Sequence, residues 1–308
     1  MLENLKIDKA YEGFLFLAEA TRNPPVLRPH HHVELELNLV VSGEVTYVMD
    51  GERYRFPKRS LLWFFPSQEH QLVDRSRDAA YYVVVFKPDL IRRACRSPRY
   101  ASLKQKKVPQ AGVLHCDLQP DTFESLCGEM DAAAEDGLDP DLLNREAGFG
   151  LSDDFRFRHN DPDWLNAALR HLLLFSWRLQ ETGGVPGRAV ALHPAVRRAL
   201  DFLDQRTLED ESVSALSEAC EVSASFLSRR FHQEIGVTLS RYRNSLRLGR
   251  FWEALRANPS SNLLNAVFDA GFGSYVQFYR IYTEAYGTNP RHSVARANSE
   301  RRRPVCRR

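Results

Sequence analysis

Residues Val213 to Pro290 carry one small device written twice, and few folds are open to a chain built that way. The first copy runs from Ala215 to Phe231 and the second from Ala266 to Tyr282. Each reads as a short helix with small residues, a tight turn, and then a capping serine, Ser223 or Ser274, that opens a second helix. That is the grammar of a helix-turn-helix, whose second helix lies in the major groove of DNA. A single such stretch is often no more than two packed core helices. A tandem pair points to two adjacent groove contacts from one protomer.

The charge follows the same division. From His193 onward there are 18 arginines, no lysine and 12 acids, against 24 basic and 28 acidic residues before it. A basic half beside a mildly acidic half implies that only the C-terminal half meets polyanions. Hydrophobic content of 43% and charged content of 27% are ordinary for a globular protein. No apolar run approaches the ~20 residues of a membrane span, and no signal-peptide pattern opens the chain, so a cytoplasmic location with no membrane partner is expected. Cys95, Cys116, Cys127, Cys220 and Cys306 are an odd, scattered set with no zinc-ligand spacing, which suits a reducing compartment.

The 308 residues leave room for two domains. The break falls at Thr182 to Arg188, where glycines release the backbone and a proline stops helices. The expected plan is therefore a sensing and pairing domain over residues 1–182, a linker over 183–190, a DNA-binding domain over 191–292 and a basic tail over 293–308. The first domain starts with strands: Leu35 to Val41, Val45 to Met49, Arg53 to Phe56 after an Asp50-Gly51 type I′ turn, Leu61 to Phe65, and Ala80 to Phe86. Their close spacing predicts a small β-barrel or jelly roll. Helices follow over Pro120 to Glu135 and Asp163 to Glu181, the second with an apolar stripe wide enough for more than one partner surface. Between them, Gly137 to Asp161 is loop-rich.

In the basic half, Pro194 opens a helix to about Asp204, and Ser212 or Ser214 caps the next, with Leu216 and Ala219 inward. Phe226, Leu227 and Phe231 form the buried face of the first recognition helix. Ser225, Ser228, Arg229 and His232 form its groove face, with Arg229 placed to clamp guanine O6 and N7. Arg230, one position round, is expected on a phosphate. A linking helix over Leu239 to Ala257 carries Tyr242, Leu246, Leu248 and Leu255 inward and spans nearly 30 Å, close to one turn of DNA. In the second unit Phe272, Phe278 and Tyr282 face inward, while Tyr275, Val276, Gln277 and Arg280 are the groove-side candidates.

The order Ser223, Leu227, Arg229, Phe231, Gly236-Val237, Arg247-Leu248, Gly271-Phe272, Phe278, Arg280, Tyr286-Gly287 and Pro290 resembles the arabinose-operon-regulator (AraC/XylS) family. Three positions depart from that pattern. Phe251 stands for the usual small residue of the linking helix, Ala266-Val267 for the usual Ile-Ala, and Val276 for the usual Ser beside the second groove contact. The resemblance implies a regulator that activates transcription by contacting RNA polymerase.

The strand-rich half offers a second constellation. His30-x-His32, three residues, Glu36, six residues, then Gly43 resembles the first metal motif of cupin barrels, with His70 as the ligand from the second motif, where Gln68 stands near the usual glycine. Together with Leu61-Leu-Trp63 and His70-Gln-Leu72, the Pro29 to Asn38 segment resembles the melibiose-operon-regulator branch of the family, which responds to a sugar. On that resemblance His30, His32, Glu34, Glu36 and Asn38 bond hydroxyls of a small ligand beside His70. Trp63, Phe65, Tyr47 and Tyr81 offer stacking faces. The alternative occupant is a divalent metal held by His30, His32, Glu36 and His70, and the blandest alternative is a strand decorated with His and Glu.

The expectation is an α+β protein. An N-terminal cupin-like β-barrel with dimerisation helices senses a small metabolite. A C-terminal all-α tandem helix-turn-helix domain binds double-stranded DNA as a homodimer, as a regulator rather than an enzyme, with no required cofactor. The rival is a cupin metalloenzyme fused to a DNA-binding domain, which requires turnover at the His and Glu cluster.

Overall fold

Eleven strands and nine α-helices make up the described part of the computed structural model, which covers residues 5, 7–19, 29–107, 112–135, 137–138, 158–183, 190–205, 212–258, 262–286, 289–292 and 294. They fall into two units, dividing between Leu192 and His193.

The first unit is built on two antiparallel sheets. One has five strands in the order β1 (Gly13–Glu19), β7 (Ala80–Phe86), β2 (Leu35–Ser42), β5 (Ser60–Phe64), β8 (Leu114–Asp117). The other has the order β11 (Val190–Ala191), β4 (Glu52–Pro57), β3 (Glu44–Met49), β6 (His70–Arg75). No ladder joins the two among the described residues, so the arrangement is a pair of sheets, and closure into the expected barrel is not seen. The hairpin between β3 and β4 turns on Asp50 and Gly51, with φ of 51° and 73°. Both central residues of a type I′ turn require positive φ, and that is the chemistry Asp-Gly supplies.

Side chains alternate across the five-stranded sheet. In β2 the register sets Glu36 opposite Phe64 and Val85, and Asn38 opposite Leu62 and Val83. That face looks at the other sheet: Asn38 bonds the Tyr47 hydroxyl of β3 at 3.0 Å, and the Tyr47 and Phe64 rings lie 5.0 Å apart. Leu37, Trp63 and Val84 occupy the opposite face, which is covered by helices. Helix α1 spans Pro88–Ala94, and a 3-10 segment follows over Pro98–Lys104. Helix α2 (Pro120–Ala134) buries Phe123, Leu126, Met130 and Ala133, and α3 (Pro162–Gly183) buries Leu165, Leu169, Leu172, Leu173 and Trp177. The two pack on each other and on β1, and Trp177 meets Trp63 edge to face at 5.6 Å. The apolar stripe of α3 is therefore largely used within its own chain.

Among the strands longer than two residues, β1, β6 and β8 escape the sequence reading. Residues 13–18 of β1 are almost all apolar and, apart from Leu17, buried, so no alternation marks them. In the Gly137 to Asp161 stretch, Gly137–Leu138 (β9) pairs with Arg158–His159 (β10), and the residues between lie outside the described ones, as do 184–189 of the linker and nearly all of the tail. Val190 and Ala191 pair with Arg53 and Glu52, so the start of the expected DNA-binding segment belongs to the sheets.

The second unit is helical. Helix α4 is Pro194–Gln205, α5 Val213–Ala219, α6 Ala224–Ile235, α7 Leu239–Ala257, α8 Leu263–Asp269 and α9 Tyr275–Tyr286. The caps follow from their sequences: Ser212, Ser223, Thr238 and Asn262 accept from backbone N–H groups of Ala215, Phe226, Arg241 and Leu264. Both short helices end alike. After α5, Glu221 takes φ 58° and the Val222 N–H bonds the Ser217 carbonyl; after α8, Gly271 takes φ 83° and the Phe272 N–H bonds the Val267 carbonyl. This six-to-one closure is the Schellman motif, and in each copy it leads the backbone towards the recognition helix. One inward expectation is corrected. Ala219 is exposed, and Cys220, one residue on, fills the core position beside Leu216.

Candidate functional site

The second unit presents two short helices in equivalent settings. On α6, Leu227 and Phe231 are fully buried, which turns Ser225, Arg229, His232 and Gln233 outward on one stripe, with Ser228 half-buried at its edge. Arg230 does not share that face as a free phosphate contact. Its Nε lies 2.6 Å from Glu234 Oε1, and Glu234 Oε2 accepts the His193 N–H at 2.8 Å. The pair joins α6 to the start of α4, a tertiary use that helical spacing does not reveal.

On α9, Phe278 and Tyr282 are fully buried against Phe251, Trp252 and Phe272. Val276, 78% exposed, and Tyr279, 40% exposed, stand out with Arg280. Tyr275 is half-buried with its ring 5.9 Å from that of Phe278, so it is partly core. Gln277 is committed to the turn: its Oε1 accepts the Gly273 N–H at 3.2 Å while its own N–H bonds Ser274 Oγ at 3.2 Å. This reciprocal cap leaves only its amide NH2 for a base. Gln233 and Tyr279 share the outward stripes without having been expected there. The i+4 relation to Arg229 and the i+3 relation to Val276 were the available signals.

In the first unit, the predicted His and Glu residues converge. His32 enters ahead of β2, Glu36 lies on β2 and His70 begins β6, so the cluster spans both sheets. His32 Nε2 is 3.0 Å from Glu36 Oε2, and His70 Nε2 is 3.7 Å from the same oxygen. Each imidazole is oriented from behind: His32 Nδ1 meets the Glu34 carbonyl at 3.1 Å and His70 Nδ1 the Gln68 carbonyl at 3.0 Å. A carbonyl only accepts, so both Nδ1 atoms carry protons and both Nε2 atoms are turned to the carboxylate. The ring of His70 also stacks on Phe64 at 4.4 Å.

Asn38 Nδ2 donates to Glu36 Oε1 at 3.0 Å, extending the polar line towards Tyr47. Burial raises the Glu36 carboxyl, but the bond to His32 and the nearby His70 imidazole outweigh that, holding it well below the usual carboxylate range. Burial raises the Tyr47 and Tyr81 hydroxyls, leaving them neutral donors and acceptors. His70 Nε2, Asn38 Oδ1, Glu34 Oε2 and Arg75 Nη1 are buried without a hydrogen-bond partner.

Of the other predicted residues, His30 forms a backbone bridge to His70 and sets its ring 4.3 Å from it, outside the three-residue grouping of donor atoms. Glu34 lies 3.7 Å from His32 Nδ1. Trp63 is not brought to the cluster. It pairs with Leu37 on the reverse face, where it packs on Phe86 and Trp177, and Phe64 takes the inward position.

Comparisons with known proteins agree with this geometry. A model of the AraC-like ligand-binding domain matches residues 15–148, and a helix-turn-helix domain model matches residues 216–296. The chain is similar to the melibiose operon regulatory protein of Escherichia coli (strain K12), at 21% identity over 268 residues, covering 85% of this chain and 81% of that one. Among solved structures it aligns with ToxT from Vibrio cholerae O395 (12% identity, TM-score 0.35, 94% of this chain and 98% of that one). It also aligns with the AraC-like transcriptional activator CuxR (12% identity, TM-score 0.30, 84% and 78%). Scores this low establish no shared fold. No helix among the described residues is long and apolar enough to cross a membrane. The chain joins an AraC-like ligand-binding domain to an AraC-type helix-turn-helix domain, and it belongs to the AraC-family ligand-responsive, DNA-binding transcription regulators, a family of regulators rather than of enzymes.

Proposed function

We propose that the effector is a small, hydroxyl-rich metabolite of the sugar class, bound between the two sheets, and that its binding changes how the helical unit engages DNA. The observation that carries this reading is the buried line of polar groups on β2, β3 and β6. Glu36, Asn38, Tyr47, His70 and Arg75 share one interior, and the unpaired Asn38 Oδ1 and Arg75 Nη1 are costly to bury without a partner. A polyhydroxyl ligand supplies both donors and acceptors to such groups; an apolar ligand leaves them orphaned. The likeness to a melibiose operon regulator favours the same class. Stabilisation of the full chain by a panel of sugars tests the reading. One sugar is expected to raise the melting temperature and alter operator affinity, and Asn38→Ala to abolish both responses while leaving basal DNA binding intact. A chain that responds only to apolar acids would sink it.

In this proposal Ser225, Ser228, Arg229 and His232 read bases in one major groove, and Val276, Tyr279 and Arg280 read the next. Val276 offers a methyl surface suited to the thymine 5-methyl group. The protein works in the cytoplasm as a homodimer through the outward edges of α2 and α3 and activates by contacting RNA polymerase. A fragment beginning at His193 is expected to bind specific DNA more weakly than the whole chain, because pairing no longer supplies a high effective concentration. Titration of both forms on one operator checks this, and an inert but folded fragment would overturn it.

A further inference from the structure

Both histidines of the sheet cluster aim Nε2 at one carboxylate oxygen, and that arrangement suits a shared cation. Glu36 is 5% exposed, His32 and His70 are each 2% exposed, and one ligand atom from each lies within 4.8 Å of the others. With each Nδ1 turned to a backbone carbonyl, both imidazoles present Nε2 to the same carboxylate oxygen, which is how ligand atoms gather around a shared ion. His70 Nε2 has no hydrogen-bond partner at all. Ion ligands have the same outer support: a ligating histidine nearly always donates its far N–H to a carbonyl or carboxylate.

We propose that His32 Nε2, Glu36 Oε2 and His70 Nε2 bind one divalent transition-metal ion of the zinc or iron(II) type. Ligands held ~2.0–2.2 Å from a tetrahedral ion lie roughly 3.3 Å apart. The 3.0 Å and 3.7 Å separations from Glu36 Oε2 bracket that spacing. Two imidazoles and a carboxylate form a borderline donor set that suits zinc or iron(II) and leaves positions for water. Gln68 and Glu34 fix the imidazoles through their carbonyls, and Asn38 holds the second carboxylate oxygen, so these three are positioning residues. The ion ties the segment before β2 and strand β2 itself to β6, linking the two sheets. His30, on the bridge to His70, remains beside it. The inference is independent of which effector the domain senses.

Full-length protein stripped with a chelator is titrated with zinc by calorimetry and with cobalt(II) by visible absorption. One ion per chain is expected, with a rise in melting temperature and cobalt bands of a low-coordinate site. His70→Gln and Glu36→Gln are each expected to weaken binding by on the order of 100-fold. His171→Ala, at the exposed His171–Glu129 pair 3.9 Å apart, is expected to leave it unchanged. Substoichiometric uptake by the folded wild type overturns the proposal, as does wild-type affinity in both variants with unchanged circular dichroism. Should both variants unfold, X-ray absorption of the zinc-loaded wild type decides: two imidazoles and a carboxylate support the site, whereas sulfur or water alone refutes it.

Discussion

Arg229→Ala is expected to weaken binding to the specific site by about 1–3 kcal/mol and to flatten preference at one base position, with little change in the salt dependence. The reason lies in what the guanidinium touches. Arg229 stands on the outward stripe of α6 with Ser225 and His232, while Leu227 and Phe231 hold the helix to its core from behind. A bidentate contact to guanine is lost only where that guanine is present, so affinity for other sequences stays nearly unchanged. Arg230 supplies the contrast, since its partner is Glu234 of the same helix. Arg230→Ala leaves a nearly buried carboxylate short of a partner, so its effect belongs in the melting temperature rather than in the base preference. Selection of bound sites from random DNA with both variants reads the two effects separately. A uniform loss of affinity for all sequences in Arg229→Ala would remove it from base readout.

Phe251→Ala is expected to cost about 3–5 kcal/mol of stability, a large share of the ~5–15 kcal/mol of a whole domain. The ring is fully buried on α7, with centroids 4.6 Å from Phe278, 5.3 Å from Trp252 and 6.0 Å from Tyr282. Phe278 and Tyr282 are the residues that seat α9, so the cavity opens beneath the second recognition helix. The first motif rests on a different set, Leu216, Leu227, Phe231 and Ile235. Footprinting is therefore expected to show protection shrinking to the contact of α6. A full-length footprint at unchanged melting temperature would mean that the site relaxes around the missing ring. Where the family pattern has a small residue, this chain has built its second core around an aromatic one.

The tandem motif was legible because its signals are local. Ser223 and Ser274 cap helices, Gly271 supplies the left-handed turn residue, and apolar spacing at three and four residues marks the buried face. The equivalent turn in the first copy is made by Glu221, whose side chain gives no hint of positive φ, so the Schellman closure there was visible only by analogy with Gly271. The groove faces were less legible. Gln277 and Arg230 sit at outward helical positions, yet Gly273 and Glu234 claim them, and such contacts depend on geometry beyond the helix.

The sheet domain draws the same line more sharply. Resemblance to the cupin metal motif was enough to name His30, His32, Glu36 and His70 as one constellation, and the packing gathers donor atoms of His32, Glu36 and His70 while leaving His30 beside them. Nothing in that motif said which face of β5 meets it. Trp63 and Phe64 are neighbours in the chain, and the register of β5 on β2 sends one to the helices and the other to the cluster. Register comes from long-range pairing, and a shift of one residue exchanges every side chain between faces. Covalent neighbours dictate caps, turns and helical stripes. Which polar atoms end up buried without a hydrogen-bond partner is set by packing between strands that lie far apart in the chain.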